Sequence, residues 1–426
     1  MLIRYSLENF RSIQKRQELS LVASSLKGST ESLIEVRGLT HPLVKIASIY
    51  GANASGKTNV IRGLSYISSV IRDSHRRWEP GKGTHRNPFR LDKESLQAPS
   101  KFEVAFIVDR VRYEYGFSLD SEQFIEEWLY AFPKNKRQIW YERSRDKFIF
   151  GSNFSGENKS IESLTRPNSL FLSAAAQNNH PLLTPLYSWF SEQVHFVRGP
   201  RESEMEFSAH MCTHDDLRDL FRNLVQTADL GVTDICIKPT EKDKELEQLV
   251  ANIRKAIGRD VEIRQPLTGI QLLHKSGQED VALSIGEESA GTRAYFALLG
   301  PVLATLASGG LLCIDELDSS LHPLLSSKVL ELFTNPKLNK RGGQLIFNTH
   351  DTNLLCAPEL RRDQIWFTER DASGATHLYP LSDFKPRQDE NLQRGYLQGR
   401  YGAVPFLGRT DFLRYEESDG ETTKTA

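Results

Sequence analysis

The chain has 426 residues, 54 Lys and Arg against 55 Asp and Glu, a formal net charge of -1 and 39% hydrophobic residues. At roughly 150 residues per domain this length allows two to three domains with real cores and excludes a disordered or fibrous chain. Near-neutrality also excludes a body that coats nucleic acid through a global positive field, so DNA or RNA contact has to come from a local patch.

The N-terminus opens with alternating segments at Ile3 to Leu7 and Leu19 to Val22, separated by Asn9-Phe10-Arg11-Ser12, which predicts strands and a turn. Met1 to Tyr5 enter this pattern rather than a signal peptide. Val44 to Tyr50 is a β-rich run, followed by a Gly-rich loop and by Val60, Ile61, Leu64, Ile67, Val70 and Ile71 at helical spacing. Residues 73–100 are polar and carry Pro80, Gly81, Gly83 and Pro88, which predicts a long loop. Arg72 and the loop's His75, Arg76, Arg77, Lys82, His85, Arg86 and Arg90 surround Trp78, a pattern suited to a nucleic-acid backbone or an acidic partner, or simply to a solvated loop.

Strict alternation from Phe102 to Val108 and from Val111 to Phe117 predicts a hairpin, with further strands at Ile139 to Glu142 and Phe148 to Phe150. From about 155 to 280 the texture turns to mixed helices, with stripes at Leu217, Leu220, Phe221 and Leu224 and at Leu246, Leu249, Val250, Ile253 and Ile257. Neither supports a long coiled coil. His210-x-Cys212-x-His214-Asp215 fits zinc spacing poorly. Ala294 to Ile314 is uncharged, but Pro301 and Gly309-Gly310 cut it, so it reads as buried helix, turn and buried strand rather than a membrane span. The tail Glu416 to Ala426 is expected to be disordered. Cys212, Cys236, Cys313 and Cys356 lie far apart with no C-x-x-C pair, which fits a reducing cytoplasm.

The strongest chemical signal is Gly51-Ala52-Asn53-Ala54-Ser55-Gly56-Lys57-Thr58, a full G-x-x-x-x-G-K-[ST] between a predicted strand and a predicted helix. Successive N–H groups in such a loop point inward and, with the helix N-terminus, bind phosphates. Lys57 would reach the β and γ phosphates, and the Thr58 hydroxyl would ligate Mg²⁺. A second magnesium carboxylate is expected at the end of a buried strand, where Leu311-Leu312-Cys313-Ile314 runs into Asp315 and Glu316. Glu316 would point to the other side of an extended chain and orient or deprotonate the attacking water, a role typically worth about 10² to 10⁴ in rate. Gln344 to Asn348 reads as another buried strand, and His350 just beyond it could hydrogen-bond a γ-phosphate. Ser289 and Gly291, at a second helix start, offer anion-accepting N–H groups. One chain cannot obviously aim both helix starts at one phosphate; two subunits packed head to tail could.

Together these residues resemble the ABC-type ATPase heads shared by the SMC, Rad50, RecF and OLD proteins. Asn9-Phe10-Arg11-Ser12 is similar to that group's N-terminal element, Thr58-Asn59 to its P-loop ending, Ser289-Ala290-Gly291-Thr292-Arg293 to a shortened signature motif, and Leu317-Asp318-Ser319-Ser320-Leu321-His322-Pro323 to the OLD-like D-loop. His350 takes the switch-histidine place. No Q-loop glutamine can be placed, and Asn87-Pro88-Phe89-Arg90 is a positional candidate only. Ala228 to Val232 and Tyr396 to Pro405 narrow the similarity to the stand-alone ATPases of anti-phage and abortive-infection systems, the RloA and AbiL type.

The resemblance implies an α/β P-loop ABC-type head: an N-terminal part with an antiparallel β lobe over 1–154, an α-rich insertion over 155–280, and a C-terminal part over 281–415. It implies an Mg²⁺-dependent ATPase in which Gly51, Asn53, Ala54, Ser55, Gly56, Lys57, Thr58, Asn59 and Arg11 hold ATP, Thr58 and Asp315 hold Mg²⁺, and Glu316, His350 and Lys57 serve hydrolysis. Ser289 and Gly291 of a second subunit would close the site in a head-to-tail dimer. ATP rather than GTP is expected, because no [NT]-K-x-D element follows the loop. Too few residues follow His350 for the nuclease domain of an OLD protein, so a separately encoded effector is the expected partner. The alternatives are a RecF-like or Rad50-like DNA-repair clamp and a transporter energy subunit.

Overall fold

The computed structural model describes residues 1–26, 28–199, 202–228, 230–238, 269–276 and 279–405. The first part of the chain forms β1 (Leu2–Glu8), β2 (Gln17–Ser20), β3 (Leu33–Ile34), β4 (Leu43–Val44), β5 (Ile46–Gly51), α1 (Lys57–Asp73), α2 (Lys93–Gln97) and the meander β6 (Ser100–Val108), β7 (Val111–Leu119), β8 (Phe124–Phe132), β9 (Gln138–Ser144) and β10 (Lys147–Phe150). The middle forms α3 (Asn158–Leu164), α4 (Phe171–Gln177), α5 (Thr184–Glu192), β11 (Val194–Val197), α6 (Glu202–Cys212), α7 (Asp215–Thr227), β12 (Val232–Lys238), β13 (Gly269–Ser276) and β14 (Glu279–Ser284). The last part forms α8 (Ala290–Ser308), β15 (Leu311–Ile314), α9 (Pro323–Thr334), β16 (Gln344–Asn348), β17 (Ile365–Arg370), β18 (Thr376–Pro380) and α10 (Leu392–Leu397).

Two large sheets result. The antiparallel lobe has the order β10-β9-β8-β7-β6-β1-β2, and the core sheet has the order β11-β15-β16-β5-β17-β18. In the core β11, β15, β16, β5 and β17 run parallel, so their C-terminal ends meet along one edge, where open α/β sheets bind ligands. Strands β15 and β16 are buried at every position because both faces are covered, and within them Leu311–Ile314 and Leu345 to Phe347 are apolar.

Helix α1 lies against both sheets. Its Val60, Ile61, Leu64, Ile67, Val70 and Ile71 are buried, each contributing roughly 1.5–3 kcal/mol relative to exposure. Gly63 allows a close crossing: a Cβ there would stand 2.1 Å from Leu7 Cδ1 of β1, so the leucine side chain would have to move. On the lobe, the buried Glu127 carboxylate accepts the hydroxyls of Tyr115 and Tyr141 and the N–H groups of Phe171 and Leu172, with the buried Arg143 at 3.6 Å. These donors offset its desolvation and fix α4 to the sheet.

The span 155–280 carries α3 to α7 and also strands: β11 pairs with β15 as the edge of the core, while β12 and β13 form a small sheet with β14. Two expectations need correction. The stretch 73–100 is not all loop, because Asp92 caps α2 by accepting from Ser95 N–H. Nor is the basic loop free: Arg72 and Arg77 pair with Asp73, and Arg86 donates to the carbonyls of Ser95, Leu96 and Ala98. The helical stripe at 246–257 and the tail from 416 lie outside the described residues. Among those described, no group of three or more His, Cys, Asp and Glu residues is arranged to hold a metal, His210 and Cys212 included.

The uncharged run becomes α8, a left-handed Gly309 cap and β15, as expected. Among the described residues α8 alone is long and apolar enough to cross a membrane, and 72% of its apolar window is buried in this fold.

Candidate nucleotide site

The phosphate-loop sequence lies between β5 and α1, at the C-terminal edge of the parallel sheet. Gly56 caps α1 in the left-handed region at φ 109, and a Cβ there would stand 2.1 Å from Thr376 Oγ1, so the position admits glycine only. Ala54 is left-handed too, at φ 62. The loop is braced from behind: the Ser55 hydroxyl lies 2.6 Å from that of Thr368, and Thr376 Oγ1 donates to Ser55 O at 2.8 Å. Ser12 joins this brace, with its hydroxyl 2.8 Å from Asn59 Nδ2 and 2.7 Å from Thr376 Oγ1. That places the N-terminal Asn9-Phe10-Arg11-Ser12 element beside the loop.

Asn53, Ala54, Gly56, Lys57, Thr58 and Asn59 line one cleft of about 490 Å³ together with Arg62, Glu316 and His350. Lys57 is buried and donates to Gly51 O at 2.9 Å and to Ala52 O at 3.0 Å. Burial lowers its pKa from the ordinary value, and the carboxylates of Asp318, Glu316 and Asp315 push the other way.

Across the cleft floor Thr58 Oγ1 donates to Asp315 Oδ1 at 2.8 Å. Asn348, at the end of β16, is fully buried and donates from Nδ2 to the same Asp315 oxygen at 2.6 Å. Its Oδ1 accepts the Glu316 N–H, so one amide fixes both acids. The chain is not extended at Glu316 as the alternation predicted. Glu316 adopts φ 64, and this turn, rather than strand alternation, brings it to the cleft. The backbone N–H of His350 donates to Asp318 Oδ2 at 3.1 Å, which ties the end of β16 to the loop after β15. Partial burial lowers the pKa of the His350 ring, as does Lys57, against the pull of Asp318 and Glu316.

Arg11 lies in an adjoining cleft of about 380 Å³ that shares Ser12, Asn59 and Arg370 with the first. Burial lowers its pKa, and so do the charges of Arg62, Arg198 and Arg90. Asn87 and Phe89 sit here as a support, with Asn87 O accepting Arg11 N–H and Phe89 N–H donating to Asn9 Oδ1. Strand β11, next to β15, ends at Val197, whose carbonyl accepts Asp315 N–H at 2.9 Å.

Ser289 and Gly291 do not line this cleft. Ser289 caps α8 by accepting Thr292 N–H, and a Cβ on Gly291 would meet Ser320 O at 3.1 Å. Nearby, His322 caps α9 by accepting Leu324 N–H, with Pro323 at the first helical position, which accounts for the Leu-His-Pro sequence. Sequence reasoning missed Asn348, Thr368 and Thr376 as site residues; only the position of Asn348 at a strand end gave a signal.

A phosphate-binding loop on a parallel sheet, with an acid from another strand bonded to the loop threonine, defines a P-loop ATPase head of the ABC/AAA type. A family profile matches residues 46–356, and the chain belongs to that family, described as "AAA domain, putative AbiEii toxin, Type IV TA system". Comparison with curated protein sequences returns no match. Among solved structures the chain is similar to cbiO1 from Clostridium perfringens, part of the ABC transporter complex cbiONQ, at 12% identity over 88% of this chain and 95% of that one. The TM-score of that match is 0.29, which supports no argument about fold or function.

Proposed function

We propose that this chain hydrolyses ATP, forms a head-to-tail oligomer when ATP binds, and thereby controls a separately encoded effector, a nuclease or toxin, in cytoplasmic anti-phage defence. The observation that carries the enzymatic part is the 2.8 Å contact between Thr58 Oγ1 and Asp315 Oδ1. Two ligands in neighbouring octahedral positions at about 2.0–2.1 Å from Mg²⁺ lie about 2.9 Å apart, and both are hard oxygen donors, so the pair fits that ion. When bound, Mg²⁺ supplies positive charge against the transferred phosphoryl group. Lys57 and the loop N–H groups would hold the β and γ phosphates, Glu316 would orient the water for in-line attack, and neutral His350 would hydrogen-bond the γ-phosphate.

That neither Ser289 nor Gly291 lines the chain's own cleft supports completion by a second subunit. The family description, which names an abortive-infection toxin and a toxin–antitoxin system, supports a role in defence. A RecF-like or Rad50-like clamp remains the alternative, favoured by the N-terminal element beside the loop.

The test is turnover and oligomer size of the purified chain. ATP should be hydrolysed, and Glu316→Gln should abolish turnover while accumulating a nucleotide-bound oligomer. Unchanged turnover in that variant removes Glu316 from its role. A monomer at saturating ATP removes the oligomer.

A further inference from the structure

We propose that the end of the antiparallel lobe remote from the nucleotide cleft binds the phosphate backbone of a nucleic acid. Strand β1 sets the polarity: past Glu8 it leads to Ser12 in the nucleotide cleft, while Leu2 pairs with Phe106 at the other end. The β6–β7 turn at Asp109-Arg110 and the β8–β9 loop at 133–137 lie at that other end, since Val108 pairs with Val111 and Arg112 with Phe132. The 35–39 loop joins them, because a Cβ on Gly38 would stand 2.6 Å from Asn135 Oδ1.

Six cations gather at this end, five on the turns and Arg112 at the start of β7. Arg37, Arg110, Lys134, Lys136 and Arg137 are exposed, and Arg112 is half-buried. Among the described residues none of the six forms an ion pair, although Asp109 and Glu35 stand at the same end. Arg110 at φ 65 and Lys134 at φ 54 occupy left-handed positions that glycine would fill without strain, so cations are displayed there at a local cost. Arg137 stacks on Tyr130 at 3.9 Å, which orients a planar guanidinium for phosphate oxygens.

A chain of net charge -1 has no global field, so this cluster is a local asymmetry. Its geometry favours a polyanion of regular spacing over an acidic protein. The two turns are separated by about two strand spacings, roughly 10 Å. At about 3.4 Å of axis per phosphate on each strand, that distance spans about three phosphates.

The experiment is fluorescence anisotropy of the full chain with a labelled oligonucleotide of about 20 nucleotides, single-stranded and as duplex, from about 50 to 200 mM salt. We expect binding that weakens steeply with salt. Replacing Arg110, Lys134 and Arg137 together by Ser should weaken it at least about tenfold and, for duplex, reduce the log–log salt slope by about 0.9 for each lost contact, with ATP turnover unchanged. Lys136→Glu, at an exposed loop position, gives a second reading independent of the folding of the triple variant. Absence of binding at low salt, wild-type binding by both variants, or equal competition by polyglutamate would overturn the proposal, the last by assigning the patch to an acidic protein.

Discussion

Thr58 and Asp315 are 257 residues apart in sequence and share one hydrogen bond of 2.8 Å at the floor of the cleft. This contact joins the helix after β5 to the end of β15, so the nucleotide site exists only once the core sheet has assembled. Thr58→Ala leaves Asp315 its bond from Asn348 and should therefore spare the fold. Removing a magnesium ligand should raise the Mg²⁺ concentration for half-maximal turnover by about tenfold or more, since metal stabilisation of the transition state is worth several kcal/mol. A magnesium titration of ATP turnover checks this, and an unchanged midpoint would exclude Thr58 as a ligand.

Asn348 bonds Asp315 and Glu316 at once. Asn348→Ala would leave a carboxylate oxygen and the Glu316 N–H short of partners, and would free Glu316 from the turn at φ 64. We expect turnover to drop about 10–100-fold, the usual range for a residue that orients ligands, with nucleotide affinity far less affected. A fluorescent-nucleotide titration beside single-turnover hydrolysis separates the two. If affinity and turnover fell together, Asn348 would be a binding residue instead.

The His350 ring has its pKa lowered from 6.5, by partial burial first and by Lys57 second. It is therefore neutral at pH 7, and it protonates at a more acidic pH than a free histidine. Because the folded value lies below the unfolded one, this group costs no stability above pH 6.5, and its penalty grows as the pH falls below that value. Turnover should hold to below pH 6.5 and then decline, and His350→Gln should remove that acid limb while lowering the plateau. A pH profile of both proteins decides; an identical limb in the variant would assign it to another group.

The loop, Lys57, Thr58, Asp315 and His350 were legible in the sequence because each belongs to a short contiguous motif at a strand end. Glu316 was legible as a residue, but its orientation was not, since nothing in an apolar run announces that the chain turns at φ 64. Thr368 and Thr376 were silent: they brace Ser55 from more than 300 positions away, and strand alternation looks the same whether a threonine faces a loop or water. Strand β11 was hidden by its four-residue length inside a helical stretch, where a short apolar run does not distinguish strand from helix. In the basic loop, composition does not show that Arg86 is spent on backbone carbonyls.

Pro301 stands inside α8 and has no N–H, which leaves the carbonyl of Ala297 without its helical donor. The Ser208 hydroxyl from α6 replaces it, donating to Ala297 O at 3.0 Å and accepting Gly300 N–H at 3.0 Å. All of these groups are buried, so Ser208→Ala should cost about 1–3 kcal/mol through the stranded carbonyl and lower the melting temperature by a few degrees. Pro301→Ala restores the donor within the helix. In the Ser208→Ala background it should therefore recover much of the loss, giving a coupling of about 0.5–3 kcal/mol in a double-mutant cycle, as expected for residues that share one partner. Strictly additive effects would mean that Ser208 acts through packing against Gly300 alone, where a Cβ would already meet the Ser208 backbone at 2.8 Å.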